Sequence, residues 1–198
     1  MKSSLILKFA AACVLSTGLA SATVITFDGV AGITSGYGGI ATWSNLIQLN
    51  GDTYGLSGYQ NGVVSHPDVA FNGGGSDAYI ANPTAFDLNS GYFTAAWNNG
   101  LQLQIEGYQG ATLVYNNTYT LNTTGPSFLD LQYLDVTKVT FHSFGGTSAG
   151  LGGGGEHFNM DNLTVNDNSS VPDSGSTLLL LGAGLTGLVA WRRKSARS

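Results

Sequence analysis

Two aspartates are the strongest candidates for metal binding in this sequence. Asp28 follows the apolar positions Ile25 and Phe27, and Asp161 lies within the last strand-like run of the chain. A Ca²⁺ ion takes about six to eight oxygen ligands, which carboxylates and the backbone carbonyls of glycine-rich turns can supply. Calcium is therefore the one cofactor that the sequence indicates. The alternative is that both aspartates cap strand ends by accepting hydrogen bonds from backbone amides.

Other candidates for catalysis lack the context that their chemistry requires. Glu106 and Asp87 could form the carboxylate pair of a glycosidase, but nothing in the sequence brings them within the ~5 to 9 Å that this reaction needs. Residues 146–150 have the Gly-x-Ser-x-Gly pattern of hydrolases, but no helix follows and no histidine comes after the acidic candidate Asp161. No two histidines are spaced as zinc ligands on one element. The three histidines are His66, His142 and His157. We therefore predict that the protein is not an enzyme, with a glycan-active enzyme as the less favoured alternative.

Aromatic residues of the loop-rich first half are candidates for binding sugars. A ring face packs against the apolar face of a pyranose, while Asn, Gln and Asp side chains bind its hydroxyls. Trp43 and Trp97 lie beside apolar strand residues, which favours a place in the core for both. A carbohydrate site is thus an alternative prediction without assigned contacts, and its candidates are Tyr37, Trp43, Tyr54, Tyr59 and Tyr79.

Charge and cysteine content exclude several classes of function. Residues 23–170 contain one basic residue, Lys138, against eleven acidic ones, which gives a formal net charge of −10. Nucleic-acid binding needs a basic face to neutralise phosphates, so this class is excluded. The single cysteine, Cys13, lies in the predicted export signal, so the exported domain has neither disulfides nor thiol chemistry.

The elements that must position these residues are predicted to be β-strands. Residues 23–170 never keep the three-and-four spacing of an amphipathic helix, whereas alternation with a period of two recurs, as in Leu101, Leu103 and Ile105. Turns expected at 116–117, 125–126 and 134–135 would separate four more strands, at 112–115, 118–121, 128–133 and 136–141. We predict a meander within a single all-β sandwich.

The last strand contains a change of register. Phe158 and Met160 share one parity and Leu163 and Val165 the other, so the inward face changes side at 161–162. A β-bulge at this point would restore the burial of all four side chains.

The N-terminus has the three parts of a secretory signal. Lys2 and Lys8 provide positive charge, residues 9–19 are apolar, and Ala20-Ser21-Ala22 has the small-x-small pattern of a cleavage site. We predict a signal peptide over residues 1–22.

The C-terminus has the parts of a membrane tether. Residues 177–191 are mostly apolar, and as a helix they would be about 22 Å long, shorter than the ~30 Å hydrocarbon core of a bilayer. Such a segment suits a transient anchor better than a permanent one. The basic residues Arg192, Arg193 and Lys194 should keep the end of the chain in the cytoplasm and direct the domain outward.

This tail resembles the PEP-CTERM sorting signals of Gram-negative bacteria, in a Val-Pro-Asp-Ser-Gly variant. The resemblance implies recognition by an exosortase, a membrane-embedded cysteine transpeptidase that would cut near the motif and transfer the protein to a surface acceptor. The alternative is a plain anchor without processing. The motif residues are Val171, Pro172, Asp173, Ser174 and Gly175.

The central domain resembles an uncharacterised family of secreted β-sandwiches. The segments that carry this resemblance are 25–28, 36–45, 58–65, 86–97 and 158–163. It implies a jelly-roll or galactose-binding-like fold without established catalysis, in which the first and last strands lie close enough for Asp28 and Asp161 to meet. Gly29 departs from the family pattern, since many relatives have an acidic residue there.

Together these features predict an exported, non-enzymatic protein of the cell surface or extracellular matrix, associated with exopolysaccharide or biofilm. A carbohydrate- or calcium-binding module is the alternative. The expected partners are the exosortase, the inner membrane during a tethered intermediate, and exopolysaccharide. The predicted organisation is a signal peptide (1–22), a β-sandwich (23–166), a linker with the motif (167–176), a transmembrane helix (177–191) and a basic tail (192–198).

Overall fold

The structure is a computed structural model, and it describes residues 22–167. The predicted signal peptide apart from Ala22, the motif, the transmembrane helix and the basic tail lie outside the described residues. Within them, no helix is both long enough and apolar enough to cross a bilayer. The described strands are β1 (Thr23–Ile25), β2 (Thr42–Ser44), β3 (Leu46–Asn50), β4 (Asp68–Asn72), β5 (Ala78–Ala95), β6 (Asn98–Asn99), β7 (Leu101–Gln109), β8 (Thr112–Leu121), β9 (Ser127–Phe144), β10 (Thr147–Ser148) and β11 (Phe158–Val165).

Helices in the described part of the chain are short. Two α-helices, α1 (Gly51–Tyr54) and α2 (Gly58–Asn61), connect β3 to β4 and begin after the capping residues Asn50 and Ser57, whose side chains accept hydrogen bonds from backbone amides. Two 3₁₀ turns occupy Tyr37–Gly39 and Gly73–Gly75. The prediction of an all-β domain is confirmed.

Nine of the described strands form one antiparallel hydrogen-bonded network that bends into two layers, and β6 and β10 pair in a separate two-stranded sheet. The order of the large network is β3-β4-β11-β5-β9-β7-β8, with β1 paired to β11 and β2 paired to β5. Residues 79–81 of β5 pair with β2, and residues 78–81 pair with 138–141 of β9. Residues 86–93 of β5 pair with 127–136 of β9 after a shift in register. The long strands β5 and β9 therefore contribute one half to each layer.

The first layer contains β1, β3, β4, β11, residues 86–95 of β5 and residues 127–136 of β9. The second contains β2, the other halves of β5 and β9, β7 and β8. Phe93 and Phe158 of the first layer lie 6.2 and 5.9 Å from Phe141 of the second, measured between ring centroids. The layers face each other across one hydrophobic core, as in a sandwich.

The predicted bulge in the last strand is present in β11. The register of β11 with β5 shifts between Asp161 and Thr164, and Asn162 adopts a positive φ of 49°. Because of this shift, the four apolar side chains of both parities are all fully buried; they are Phe158, Met160, Leu163 and Val165. β1 pairs with β11, so the first and last strands are neighbours, as expected.

Two of the predicted turns were wrong. Asn116 and Asn117 lie inside β8, because their side chains bond to neighbouring strands: Asn116 to Gln104 and Glu106, and Asn117 to the Tyr133 hydroxyl. Residues 134–135 lie inside β9, where a positive φ of 55° at Asp135 produces an irregularity and no turn. Asparagine side chains that bond across strands replace the turn that their propensity favours.

Candidate functional site

The outer face of the second layer carries a cavity of about 430 Å³. Its floor follows from strand alternation: Leu103 and Ile105 of β7 point into the core, and Gln104, Glu106 and Tyr108 point outward. The cavity, which we call the Lys138 cavity, is lined by polar and aromatic side chains from β7, β9 and the start of β5; they include Asp77, Tyr79, Gln104, Glu106, Tyr108, Lys138, Thr140 and His142.

Strand register brings these side chains together from distant parts of the sequence. Tyr79 of β5 pairs with Thr140 of β9, which in turn pairs with Glu106 of β7. In the next row Lys138 pairs with Tyr108. Paired residues of antiparallel strands point to the same face, so each row places its side chains beside one another at the cavity floor.

Glu106 is held by hydrogen bonds from three side chains. Its Oε2 accepts from the Tyr108 hydroxyl at 2.6 Å and from the Thr140 hydroxyl at 3.3 Å, and its Oε1 accepts from the Asn116 amide at 3.2 Å. The hydrogen bond to the Glu106 carboxylate raises the pKa of Tyr108 above its ordinary value, because the phenol donates to a negative charge. Glu106 thereby fixes the orientation of the Tyr108 ring.

Lys138 lies between two tyrosine rings. Its Nζ is 4.6 Å from the centroid of Tyr79 and 5.9 Å from that of Tyr108, both within the range of cation–π contacts. Within residues 22–167, the two ion pairs are between histidines and aspartates, and Lys138 takes part in neither. The ammonium group is therefore positioned by ring faces and has no carboxylate partner in the described part of the chain.

His142 and Asp77 close one end of the cavity. His142 Nδ1 and Asp77 Oδ1 are 2.5 Å apart, and both side chains are largely exposed. The imidazole stacks on the Phe144 ring, with 5.3 Å between centroids. This pair presents a polar edge to any molecule in the cavity.

The arrangement suits binding of a polyhydroxylated molecule. Aromatic rings offer apolar faces, and amide, hydroxyl, carboxylate and ammonium groups within the same cavity offer donors and acceptors. A hydrolytic mechanism with Glu106 and Asp87 has no support in the geometry, since Asp87 does not line the cavity and instead accepts a hydrogen bond from the Asp135 amide at 2.8 Å.

The two predicted metal ligands both hold one connecting segment, residues 64–68. Asp161 is fully buried, and its Oδ2 accepts hydrogen bonds from the amides of Val64 and Ser65, each at 2.8 Å. Its Oδ1 accepts from the Ser65 hydroxyl at 3.0 Å and from the amide of Asn162 at 2.7 Å. Asp28 Oδ1 accepts from the amide of Asp68 at 3.0 Å. These contacts match the alternative interpretation, in which the aspartates bond to backbone amides.

The surroundings of this aspartate clamp, formed by Asp28, Asp161 and residues 64–68, are acidic. Burial raises the pKa of Asp161, and the hydrogen bonds that it accepts counteract part of that rise. Burial also raises the pKa of Tyr37, and the carboxylates of Asp28, Asp161 and Asp68 add to this effect. Within residues 22–167 no group of three or more His, Cys, Asp or Glu side chains is placed to hold a metal ion. Calcium binding by Asp28 and Asp161 stays a prediction that calorimetry with CaCl₂ can test.

The predicted sugar-binding aromatics separate into three places. Tyr37 and Trp43 pack on Phe27 beside the core, and the Trp43 indole donates to the Tyr37 carbonyl at 3.1 Å. Tyr54 and Tyr59 contact the buried Trp97. Tyr79 alone of the five lines the Lys138 cavity.

Sequence reasoning missed the polar residues around Tyr79. Gln104, Tyr108 and Thr140 are ordinary outward positions of strands, and nothing in their spacing marks them. Lys138 did carry a signal, because it is the single basic residue of 23–170.

The C-terminal part of the chain matches a known sorting signal: residues 170–195 match the family model described as VPDSG-CTERM motif. The chain carries this motif. The VPDSG-CTERM motif implies export to the surface or exterior, and the predicted resemblance to C-terminal sorting signals is confirmed. The roles of individual residues within 171–175, of the membrane helix and of the basic residues 192–194 stay predictions.

Comparisons for the domain itself are weaker. No curated protein matches the chain. Among solved structures, TmCBM61 in complex with beta-1,4-galactotriose matches with a TM-score of 0.36 and 5% identity, over 64% of this chain and 88% of that one. A similarity of this size supports no inference about the ligand of the present chain.

Proposed function

We propose that this exported protein is a non-enzymatic component of the bacterial cell surface or extracellular matrix, and that its Lys138 cavity binds polysaccharide. The VPDSG-CTERM motif supports the location. The cavity supports the activity, since aromatic rings and several kinds of hydrogen-bonding side chains converge on it. An exosortase-type enzyme would process the tail, and the domain would then contact exopolysaccharide.

The observation that carries the binding proposal is the arrangement of Tyr79 and Tyr108. The two rings flank one ammonium group, and the Glu106 carboxylate fixes the Tyr108 hydroxyl on the same face. Rings that are held in place lose little conformational freedom when a sugar packs on them, so less of the binding free energy is spent on ordering.

A binding assay with matched tyrosine variants tests this proposal. The full chain, purified in a detergent without a sugar headgroup, is tested by affinity electrophoresis against a panel of neutral and acidic bacterial polysaccharides. Tyr79→Ala should weaken retention by about tenfold, as expected for truncation of an aromatic residue central to an interface. Tyr54→Ala is the matched control, because Tyr54 is 47% exposed and lies outside the cavity. Retention by none of the polysaccharides, or equal loss in both variants, would contradict the proposal.

The same polysaccharides test the non-enzymatic part of the proposal. The cavity holds two carboxylates, Glu106 and Asp77, so release of reducing ends is measured during prolonged incubation. We expect no release above that of the protein-free sample. Release that disappears in Glu106→Gln would identify a glycan-active enzyme instead.

Processing of the tail has a separate test. Mass spectrometry of protein recovered from the surface of producing cells should find a new C-terminus within or next to residues 171–175. A surface-exposed chain that still ends at Ser198 would favour a plain anchor.

A further inference from the structure

Lys138 is unusual both in the sequence and in the structure. It is the single basic residue of 23–170, a segment with eleven acidic residues. It lies on the floor of the cavity. The next residue of β9, Val139, is buried in the core, so strand alternation points the Lys138 side chain outward. Its ammonium group contacts two tyrosine rings and forms no ion pair with a carboxylate of residues 22–167.

The other charged groups of the cavity already have partners. Glu106 accepts hydrogen bonds from Tyr108, Thr140 and Asn116, and Asp77 is paired with His142. An ammonium group has several N–H donors and no acceptor, and ring faces satisfy none of these donors fully. Lys138 is therefore the charged group of the cavity without an ion-pair partner among residues 22–167, and an anionic or strongly accepting ligand group can bind its Nζ in place of solvent.

We propose that the Lys138 cavity recognises an acidic sugar, with the carboxylate of a uronic acid residue bound to Lys138 Nζ and the sugar ring beside Tyr79 and Tyr108. This inference rests on the proposed polysaccharide-binding function and specifies its ligand class. The cavity volume of about 430 Å³ lies within the range of about 300–1,000 Å³ that is usual for small-molecule sites. A carboxylate that binds an ammonium beside ring faces is partly shielded from water, which strengthens the pairing.

The charge of the whole domain limits how acidic the polymer can be. A net charge of −10 over residues 23–170 repels a densely charged polyanion, and this repulsion is screened only beyond about 8 Å at physiological salt. One lysine can neutralise one carboxylate. A polysaccharide in which uronic acid residues alternate with several neutral sugars fits both conditions.

A matched pair of trisaccharides tests the ligand class. Cellotriose and a counterpart in which one glucose residue is oxidised to a carboxylate at C6 share linkage and ring shape and differ by one negative charge. Isothermal titration calorimetry with the full chain, in a detergent without a sugar headgroup, should show at least about tenfold tighter binding of the carboxylated sugar, as a charge-assisted hydrogen bond provides.

The readout for Lys138 is the ratio of the two affinities. Lys138→Gln should bring this ratio close to one, and Lys138→Arg, which keeps the charge, should retain a preference for the carboxylated sugar. Equal affinity of the natural protein for both sugars, or an unchanged ratio in Lys138→Gln, would overturn the acidic-sugar inference and leave polysaccharide binding intact. Heat from neither sugar, together with no retention of any polysaccharide in the electrophoresis panel, would overturn both proposals.

Discussion

The aspartate clamp and the Lys138 cavity use similar residue types for different purposes. In the clamp, Asp161 is fully buried, and its hydrogen bonds come from backbone amides and a serine hydroxyl that the fold holds in place. In the cavity, Glu106 is bound by side chains on an open face. A carboxylate bonded to backbone amides stabilises the fold, whereas one bonded to side chains beside an open volume can exchange contacts with a ligand.

The partners of a carboxylate thus distinguish structural from functional acidic residues in this domain. The decisive feature is the nature of the partner, since burial of a charge is tolerated only when fixed donors compensate for lost water. Substitutions in the clamp should therefore reduce stability, and substitutions in the cavity should reduce binding.

The largest expected effect on stability is that of Asp161→Ala. The change leaves the part-buried amides of Val64 and Ser65 without their acceptor and opens a cavity at a fully buried side chain, and we expect a loss of about 3 kcal/mol in the free energy of unfolding. Chemical denaturation followed by circular dichroism measures it. Asp161→Asn keeps one acceptor oxygen and should lose less. A loss below about 1 kcal/mol in Asp161→Ala would show that water replaces the carboxylate and that the clamp is not structural.

Asp28→Ala should have a smaller effect on stability. Its carboxylate accepts a single backbone hydrogen bond, from Asp68 at 3.0 Å, and the side chain is only partly buried. We expect a loss of about 1 kcal/mol in the free energy of unfolding, the usual value of one such bond.

The same variant tests calcium binding. If Asp28 is a ligand, titration with CaCl₂ should raise the midpoint of thermal unfolding of the natural protein and leave that of Asp28→Ala unchanged. No shift in either protein would reject the calcium prediction.

Sequence patterns predicted the fold better than the site, for reasons that differ between residues. The parity change from Met160 to Leu163 revealed the bulge in β11, because burial of alternating residues is a local rule. The cavity depends on two strand pairings between residues that are distant in the sequence. Tyr79 pairs with Thr140, 61 positions away, and Thr140 pairs with Glu106, 34 positions away. No local pattern specifies such pairing. The wrong turn at Asn116 has the same origin, since its partners Gln104 and Glu106 belong to another strand.

Glu106→Gln should change stability little and affect the cavity more. The side chain lies on an open face, so we expect the free energy of unfolding to stay within about 0.5 kcal/mol of the natural value. Loss of the negative charge should lower the pKa of Tyr108 towards its ordinary value of 10.0. Titration by NMR of protein with ¹³C-labelled tyrosine measures this shift, with the resonance of Tyr54 as an internal control. An unchanged titration of Tyr108 would show that the hydrogen bond to Glu106 does not persist in solution.

The smallest expected effect concerns pH and the partly buried His157. Its ring packs near Tyr59 and Phe71, and burial lowers its pKa below the ordinary 6.5. Because the unfolded chain takes up a proton on this residue near pH 6.5 and the folded chain does so only at lower pH, acidification through this window favours unfolding. The free energy of unfolding should therefore fall as pH drops below 6.5, and His157→Gln should remove this component.

Asp161 contributes a pH dependence of the opposite sign, because its raised pKa makes stability rise as pH falls towards the ordinary carboxyl range. Subtracting the variant's pH profile from that of the natural protein cancels this contribution and leaves that of His157. A difference profile that is flat between pH 4 and 7 would mean that the His157 ring is as well hydrated in the folded protein as in the unfolded chain, so that burial does not lower its pKa.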